Sequence, residues 1–260
     1  MPPQAKASRR ERLQAADLRA AWDEHAAAFI AWAREPNHDS YWRFHRDLFL
    51  ELVPGAGRRT LDLGCGEGRL SRELKGLGHN VVGVDVAQAM VTAARAADAE
   101  IDVQLADAAT LPFGEVEFDL VVAFMSLQDI DDLEGAIREC GRVLGDGGRI
   151  CIAIVHPINS AGSFVGDESD SPFVIEGSYL QPSYYADDVD REGLQMRFVS
   201  AHRPLQAYTD ALSKAGFLIE RLREPPVPDR ALRTDGGRRW RRVPMFLHLR
   251  AVKLAAAKAI

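Results

Sequence analysis

LDLGCGEGRLS, residues 61–71, sets Gly64, Gly66 and Gly68 directly after a short apolar run that carries a carboxylate, Asp62. Glycine has no Cβ, so such a loop can take positive φ and lets a ligand approach the backbone. The loop joins an expected strand, 60–63, to a helix from about Gly68 to Lys75. Backbone N–H groups at a helix start favour an anionic ligand group. The spacing is G-x-G-x-G. A dinucleotide fingerprint, G-x-G-x-x-G, needs its third glycine where this chain has Arg69. Asp62 would repel a pyrophosphate and suits a ligand with an ammonium or sulfonium group. Asp85 ends the next apolar run, about 20 residues on, where a carboxylate can accept from both ribose hydroxyls. It can also cap the helix that follows. Asp107, in LADAATLPF, can reach the amino edge of an adenine or serve as a cap or turn residue.

Outward from this loop, short apolar runs alternate with amphipathic segments. Strands are expected at 60–63, 80–86, 101–106, 120–125 and 149–155, with helices at 87–97 and 131–144. Val/Ile/Leu runs alternating with helices indicate parallel strands buried on both faces, hence a doubly wound α/β sheet. A helix over 204–215 has Pro204 at its start and Gly216 at its end. Strands 217–224 and 245–254 follow, with a loop long enough for an antiparallel hairpin. Ahead of the sheet, Leu18, Trp22, Phe29 and Ala33 form a helical stripe over 17–34. A second helix, capped by Asp39 or Ser40, would bury Tyr41, His45, Leu48, Phe49 and Leu52. The rhythm fails between Pro157 and Ser200, a stretch rich in Gly, Ser, Pro, Asp and Tyr. A stretch of that length is usually a lid. The expected organisation is a disordered tail over 1–16 and one domain over 17–255. Within it, 17–53 form N-terminal cap helices and 158–200 a lid or substrate insertion.

The 260 residues carry a net charge of -6, which disfavours a general nucleic-acid binder. The basic stretch Arg238-Arg239-Trp240-Arg241-Arg242 is the local exception, read as a solvated loop or a phosphate patch. The three cysteines are odd in number and fit no zinc spacing, so no metal is expected and the compartment is read as reducing and cytoplasmic. No apolar run approaches the roughly 18 residues of a membrane span. The basic start lacks the apolar core of a secretory signal.

LDLGCGEGRLS, VVGVDVAQAMVTAAR, LADAATLPF, the segment from FDLVVAF to CIAIVHP, and HRPLQAYTDALSKAGFLIERLREP stand in order along residues 55–255. Together they resemble the class I S-adenosylmethionine-dependent methyltransferases, above all the small-molecule enzymes of the type 11 family. The resemblance implies a Rossmann-like seven-stranded sheet with an antiparallel last strand, and S-adenosylmethionine as cofactor. It implies that the backbone of Gly64, Cys65 and Gly66 lines the methionine portion, with Asp62 near its amino group. It sets Asp85 on the ribose, Val86 beside the adenine and Asp107 with Ala108 at the adenine edge. The carbonyl of Phe124 is offered to the amino group. Many relatives have a histidine pair after the fourth strand. This chain has Gln128-Asp129, so no role transfers from that pair.

Methyl transfer from a sulfonium is an in-line displacement in which positioning supplies much of the catalysis. The acceptor needs a free lone pair or a base. The base candidates are His156, after the fifth strand, and His202, in HRPL. His25, His45 and His248 read as structural, and His38 as part of a loop that can fold over the cofactor. Tyr41, Trp42 and Tyr184 are the expected substrate-facing aromatics, in a cover that Tyr179 and Tyr185 could extend. The expected enzyme acts on a small molecule, as a monomer or homodimer. Two alternatives stay open: an NAD-dependent oxidoreductase, and a non-catalytic S-adenosylmethionine-binding regulatory protein.

Overall fold

The computed structural model of the chain describes residues 9–36, 38–229, 232 and 235–255. The first strands are β1 (Arg9–Leu13), β2 (Thr60–Leu63), β3 (Val81–Asp85), β4 (Asp102–Leu105), β5 (Phe118–Phe124) and β6 (Leu144–Val155). After them come β7 (Gly162–Phe164), β8 (Phe173–Ile175), β9 (Ser183–Arg191), β10 (Leu194–His202), β11 (Phe217–Arg223) and β12 (Phe246–Lys253). The helices are α1 (Leu18–Arg34), α2 (Arg46–Leu50), α3 (Arg69–Gly76), α4 (Gln88–Ala97), α5 (Leu133–Val143), α6 (Pro157–Ala161), α7 (Leu205–Lys214) and α8 (Asp235–Arg238).

The main sheet has seven strands in the order β11-β12-β6-β5-β2-β3-β4. β2, β3, β4, β5 and β6 pair in parallel, while β12 runs antiparallel to both β6 and β11. The parallel strands are buried on both faces because alternate side chains feed two cores. Leu61, Leu63, Val84, Val121, Ala123, Ile150 and Ile152 pack with α5 and α7 on one face. Val81, Leu120, Val122, Cys151 and Ala153 pack on the other with Tyr41, Phe49, Leu70 and Leu74. From β2 the chain winds toward β3 on one side, and later toward β5 on the other. The crevice between the ends of β2 and β5 is therefore the topological switch point, where ligands bind in this architecture.

Two elements flank that crevice. α1 is capped by Asp17, whose side chain accepts from the Ala20 N–H at 2.9 Å. The second N-terminal segment opens with one turn of π-helix, Tyr41–His45, before α2, which the sequence alone did not indicate. The buried His45 bonds His248 of β12, Nδ1 to Nε2, at 2.8 Å, and so ties this segment to the sheet. The second element is a three-stranded antiparallel sheet, β1-β9-β10. It corrects one expectation and gives detail to another. Part of the expected disordered tail is strand β1, paired from Arg9↔Asp188 to Leu13↔Tyr184; residues 1–8 lie outside the described residues. The 158–200 insertion is ordered too, carrying α6, the β7–β8 hairpin and β9. Its final strand, β10, joins this small sheet and not the main one.

The basic stretch at 238–242 folds inward. Arg239 bonds Asp167 at 2.6 Å and the Gly166 carbonyl, and Arg242 bonds the Asp170 carbonyl at 3.1 Å and the Ser171 carbonyl. These contacts fasten it to the turn between β7 and β8. All three cysteines are buried and unpaired. No described helix is long and apolar enough to cross a membrane, and the described residues hold no cluster fit for a metal ion.

Candidate active site

A cavity of about 550 Å³ opens at the switch point, roofed by α1 and the small sheet. Its floor is the glycine loop. Gly64 has φ +70° and lies against Ser126: an added Cβ would fall 2.5 Å from the Ser126 Cβ. Only glycine meets both demands. Ser126 Oγ donates to the Leu63 carbonyl at 2.6 Å and ties the segment after β5 to the end of β2. At the end of β5, Met125 takes φ +54°, a conformation costly for such a residue and found where a site over-determines the backbone.

Asp62, Gly64, Cys65, Gly66, Asp85, Val86, Asp107, Ala108 and Phe124 all line this cavity, so the structure brings together every residue expected at the cofactor. The Asp85 carboxylate accepts from the Gly66 N–H at 2.8 Å and the Ala87 N–H at 3.0 Å. It thus orders the glycine loop and the start of α4 at once. Asp62, beneath the loop, accepts from Ser71 Oγ at 2.6 Å. Burial pushes its carboxyl up to about 7, and the field of Asp85 adds to that. Burial also raises Asp85. Among the described residues no cation forms an ion pair with either acid. The buried Asp62 and the half-buried Asp85, without a cation beside the half-buried backbone of Gly64 and Gly66, fit a ligand that brings positive charge. Asp107 Oδ1 accepts from the Ala109 N–H at 2.8 Å, which holds the turn that carries Ala108 to the cavity.

The expected base and aromatic residues stand elsewhere. His156 does not line the cavity. Its Nδ1 accepts from the Ile158 N–H at 3.1 Å, capping α6, and its Nε2 faces Glu224 at 3.0 Å. His202 is fully buried, with Nδ1 on Ser160 Oγ at 2.7 Å and Nε2 on the Tyr179 carbonyl at 2.9 Å. Both ring nitrogens are committed, and burial lowers both histidines' basicity. Tyr41 is buried below the cavity, with its hydroxyl on Glu73 at 3.2 Å. Trp42 is 42% exposed and packs edge-on against Tyr41. Tyr184 packs with Leu18 and Val199 on the far face of the small sheet. Adjacent strand residues face opposite ways, so its neighbour Tyr185 lines the cavity.

The same alternation sends Tyr185, Asp187, Val189 and Arg191 of β9, with Phe198 and Ser200 of β10, into the cavity. α1 adds Trp22, Phe29 and Trp32: Trp22 stands edge-on to Phe29, and Phe29 and Trp32 each stand edge-on to Phe198. Beneath this aromatic wall, just past β5, lies Asp129. Ser200 Oγ donates to its Oδ1 at 2.6 Å, and the Gln128 side-chain amide to its Oδ2 at 3.2 Å. Burial pushes this carboxyl up to about 7. The sequence marked Gln128-Asp129 only as a departure. The available signal was an acid directly beyond the carboxyl end of a central strand.

A doubly wound sheet of this order, with a glycine loop and the acids Asp62 and Asp85 at its switch point, matches the fold and site of the class I S-adenosylmethionine-dependent methyltransferases. Residues 61–152 of the chain match the family described as methyltransferase domain. It is 33% identical over 118 residues to an O-methyltransferase of Penicillium expansum, covering 43% of each chain. It is 31% identical over 159 residues to a ubiquinone biosynthesis O-methyltransferase of Xanthomonas axonopodis pv. citri, covering 56% of this chain and 66% of that one. The crystal structure of an S-adenosylmethionine-dependent methyltransferase from Mesorhizobium loti superposes with a TM-score of 0.66 at 26% identity, covering 83% of this chain and 98% of that one. The chain spans about half the length of the curated relatives it matches, from 43% to 61% of the first three.

Proposed function

We propose that the chain is an S-adenosylmethionine-dependent methyltransferase that acts on a small-molecule acceptor, with Asp129 as general base. The observation that carries this reading is a single switch-point cavity with two unlike halves. One half holds the glycine backbone and the acids Asp62 and Asp85; the other holds aromatic walls around Asp129 and Ser200. The backbone of Gly64, Cys65 and Gly66, with Asp62 and the Phe124 carbonyl, would hold the methionine end of the cofactor. Asp85 would hold the ribose, and Val86, Asp107 and Ala108 the adenine. Bound S-adenosylmethionine supplies a methyl group on a positively charged sulfur, ready for displacement. The acceptor's attacking atom is freed when its proton passes to an Asp129 carboxylate oxygen. The Ser200 hydroxyl holds that carboxylate in place, and a raised pKa suits it to take a proton near neutrality. Trp22, Phe29, Trp32 and Phe198 exclude water from the acceptor half. With this reading go a cytoplasmic location and a monomer or homodimer.

The test is calorimetric titration with S-adenosylhomocysteine. The native chain should bind it, and Asp85→Ala should lose at least about tenfold in affinity while melting as a folded protein. Preferential binding of a nicotinamide dinucleotide would overturn the reading in favour of an oxidoreductase.

A further inference from the structure

The cavity reaches past β5. β6 ends at Val155 and β12 begins at Phe246; these two residues pair in the sheet, and both line the cavity. In the order β12-β6-β5, strands about 4.8 Å apart put the start of β12 about 10 Å from the end of β5, on the side away from the glycine loop. Apolar side chains furnish this end. Phe44 packs against Phe246 with ring centroids 5.7 Å apart. Trp240 stands edge-on to Phe164 at 5.0 Å, next to the clasp that Arg239 and Arg242 make on the turn between β7 and β8. Val155, Phe44, Trp240 and Met245 are only half-buried and line the cavity, so apolar surface is left there for a ligand to cover. One uncharged polar side chain joins them. Asn159, the third residue of α6, is 7% exposed and lines the same cavity. Its Nδ2 donates to the Met245 carbonyl at 3.1 Å, and that carbonyl also accepts from the His156 N–H at 2.9 Å. The bond settles which way the amide points, because only its nitrogen can face a carbonyl. Among the described residues no group donates to Asn159 Oδ1. A nearly buried acceptor without a donor, at the edge of a cavity, suits a ligand that supplies one. The guanidinium groups of Arg10 and Arg239 line the cavity too, but each is paired, with Asp187 and with Asp167, both at 2.6 Å. A neutral donor therefore fits the amide oxygen.

We propose that this end is a subsite for the far part of an elongated acceptor: a second ring or similar apolar group whose hydroxyl or N–H, about 10 Å from the reacting atom, donates to Asn159 Oδ1. The inference rests on the methyltransferase reading, with the reacting group at Asp129. The second ring covers Phe44, Trp240 and Met245, which an acceptor ending at Asp129 would leave facing water. Asn159 then fixes the length of the acceptor, since a shorter molecule leaves its oxygen without a donor.

The experiment saturates the protein with S-adenosylhomocysteine and then titrates it, by calorimetry, with phenol, 4-hydroxybiphenyl and 4,4′-dihydroxybiphenyl. The last is a rigid two-ring phenol whose second hydroxyl matches the reach from β5 to β12. Native protein should bind 4-hydroxybiphenyl at least about tenfold more tightly than phenol, because the second ring covers apolar surface. The second hydroxyl should add about three- to tenfold. Asn159→Leu keeps the volume, and the Met245 carbonyl retains its bond from His156. This variant should lose the gain from the second hydroxyl and keep its affinity for 4-hydroxybiphenyl. Phe44→Ala should weaken both biphenyls and leave phenol and S-adenosylhomocysteine binding unchanged. If native protein does not bind S-adenosylhomocysteine, the methyltransferase reading fails and the subsite with it. With that binding in place, the subsite alone is overturned if the biphenyls bind no more tightly than phenol, or if Phe44→Ala leaves them unchanged. It is overturned as well if Asn159→Leu weakens all three phenols alike, which would make the asparagine only a prop for Met245.

Discussion

The proposed base, Asp129, depends on three features that only the fold joins: its place beyond β5, its burial, and a hydroxyl from a distant strand. Its carboxyl is held near 7 by burial, while hydrogen bonds from Ser200 and Gln128 work in the opposite direction. As a base it acts when ionised. With any acceptor whose attacking group is protonated, log(kcat/KM) should rise with pH with a slope of one and level off above about 7. Asp129→Asn keeps the shape and the Ser200 contact but cannot take a proton. Its rate should fall by about 10²- to 10⁴-fold and lose the inflection. Ser200→Ala should move the inflection upward, because it removes a hydrogen bond that favours the ionised form. A native pH profile in Asp129→Asn would show that the proton goes elsewhere. The sequence marked Asp129 only as part of a departure from the family pattern; its partner comes from residue 200, and nothing local links the two.

At the scale of elements, the small sheet decides which side chains form the acceptor half. Its edge strand is held by more than backbone pairing. Arg10 makes a two-pronged pair with Asp187, at 2.9 and 2.6 Å, and donates to the Gly162 carbonyl at 2.9 Å. Its guanidinium also lies 4.5 Å from the centroid of Tyr185. The two side chains are only 11% and 20% exposed. Asp187→Ala would leave Arg10 buried without its acid, a change that costs about 3–5 kcal/mol. At roughly 2–4 °C per kcal/mol for a chain of this size, the melting temperature should drop by about 10 °C. Limited proteolysis should then open the 183–202 region first; an unchanged melt would reduce the pair to a surface contact. None of this was legible in RRERL, which has no apolar alternation and becomes a strand only through pairing with β9. Register explains the misplaced tyrosine as well. Tyr184 and Tyr185 are equivalent in composition, and pairing with Leu13 and Arg12 decides which one faces the cavity. The glycine loop was legible because its meaning is local: a strand end, positive φ and a helix start within a few residues.

At the scale of the whole molecule, the main sheet follows from the alternation of apolar runs and helices, and its switch point gathers the acids Asp62 and Asp85 in one cavity. Asp62 is held at about 7 and Asp85 is raised, so both keep protons more tightly folded than unfolded. A carboxyl of that kind stabilises the fold at low pH. Its contribution fades as pH rises from its unfolded value, about 4, through its folded value. The buried histidines act with opposite sign: His45, His79, His156, His202 and His248 are lowered, so they add stability as pH rises toward about 6.5. The acids are therefore read as a difference. Melting temperatures of native protein and Asp62→Asn, measured without ligand from pH 5 to 8, should diverge, with native falling relative to the variant up to about pH 7. Saturating S-adenosylhomocysteine supplies an ammonium group to the same corner. It favours the ionised acid, so it should stabilise native protein more than Asp62→Asn above pH 7 and remove the divergence. Parallel melting curves with and without the ligand would detach Asp62 from the charge balance of the cavity and leave it only its bond to Ser71.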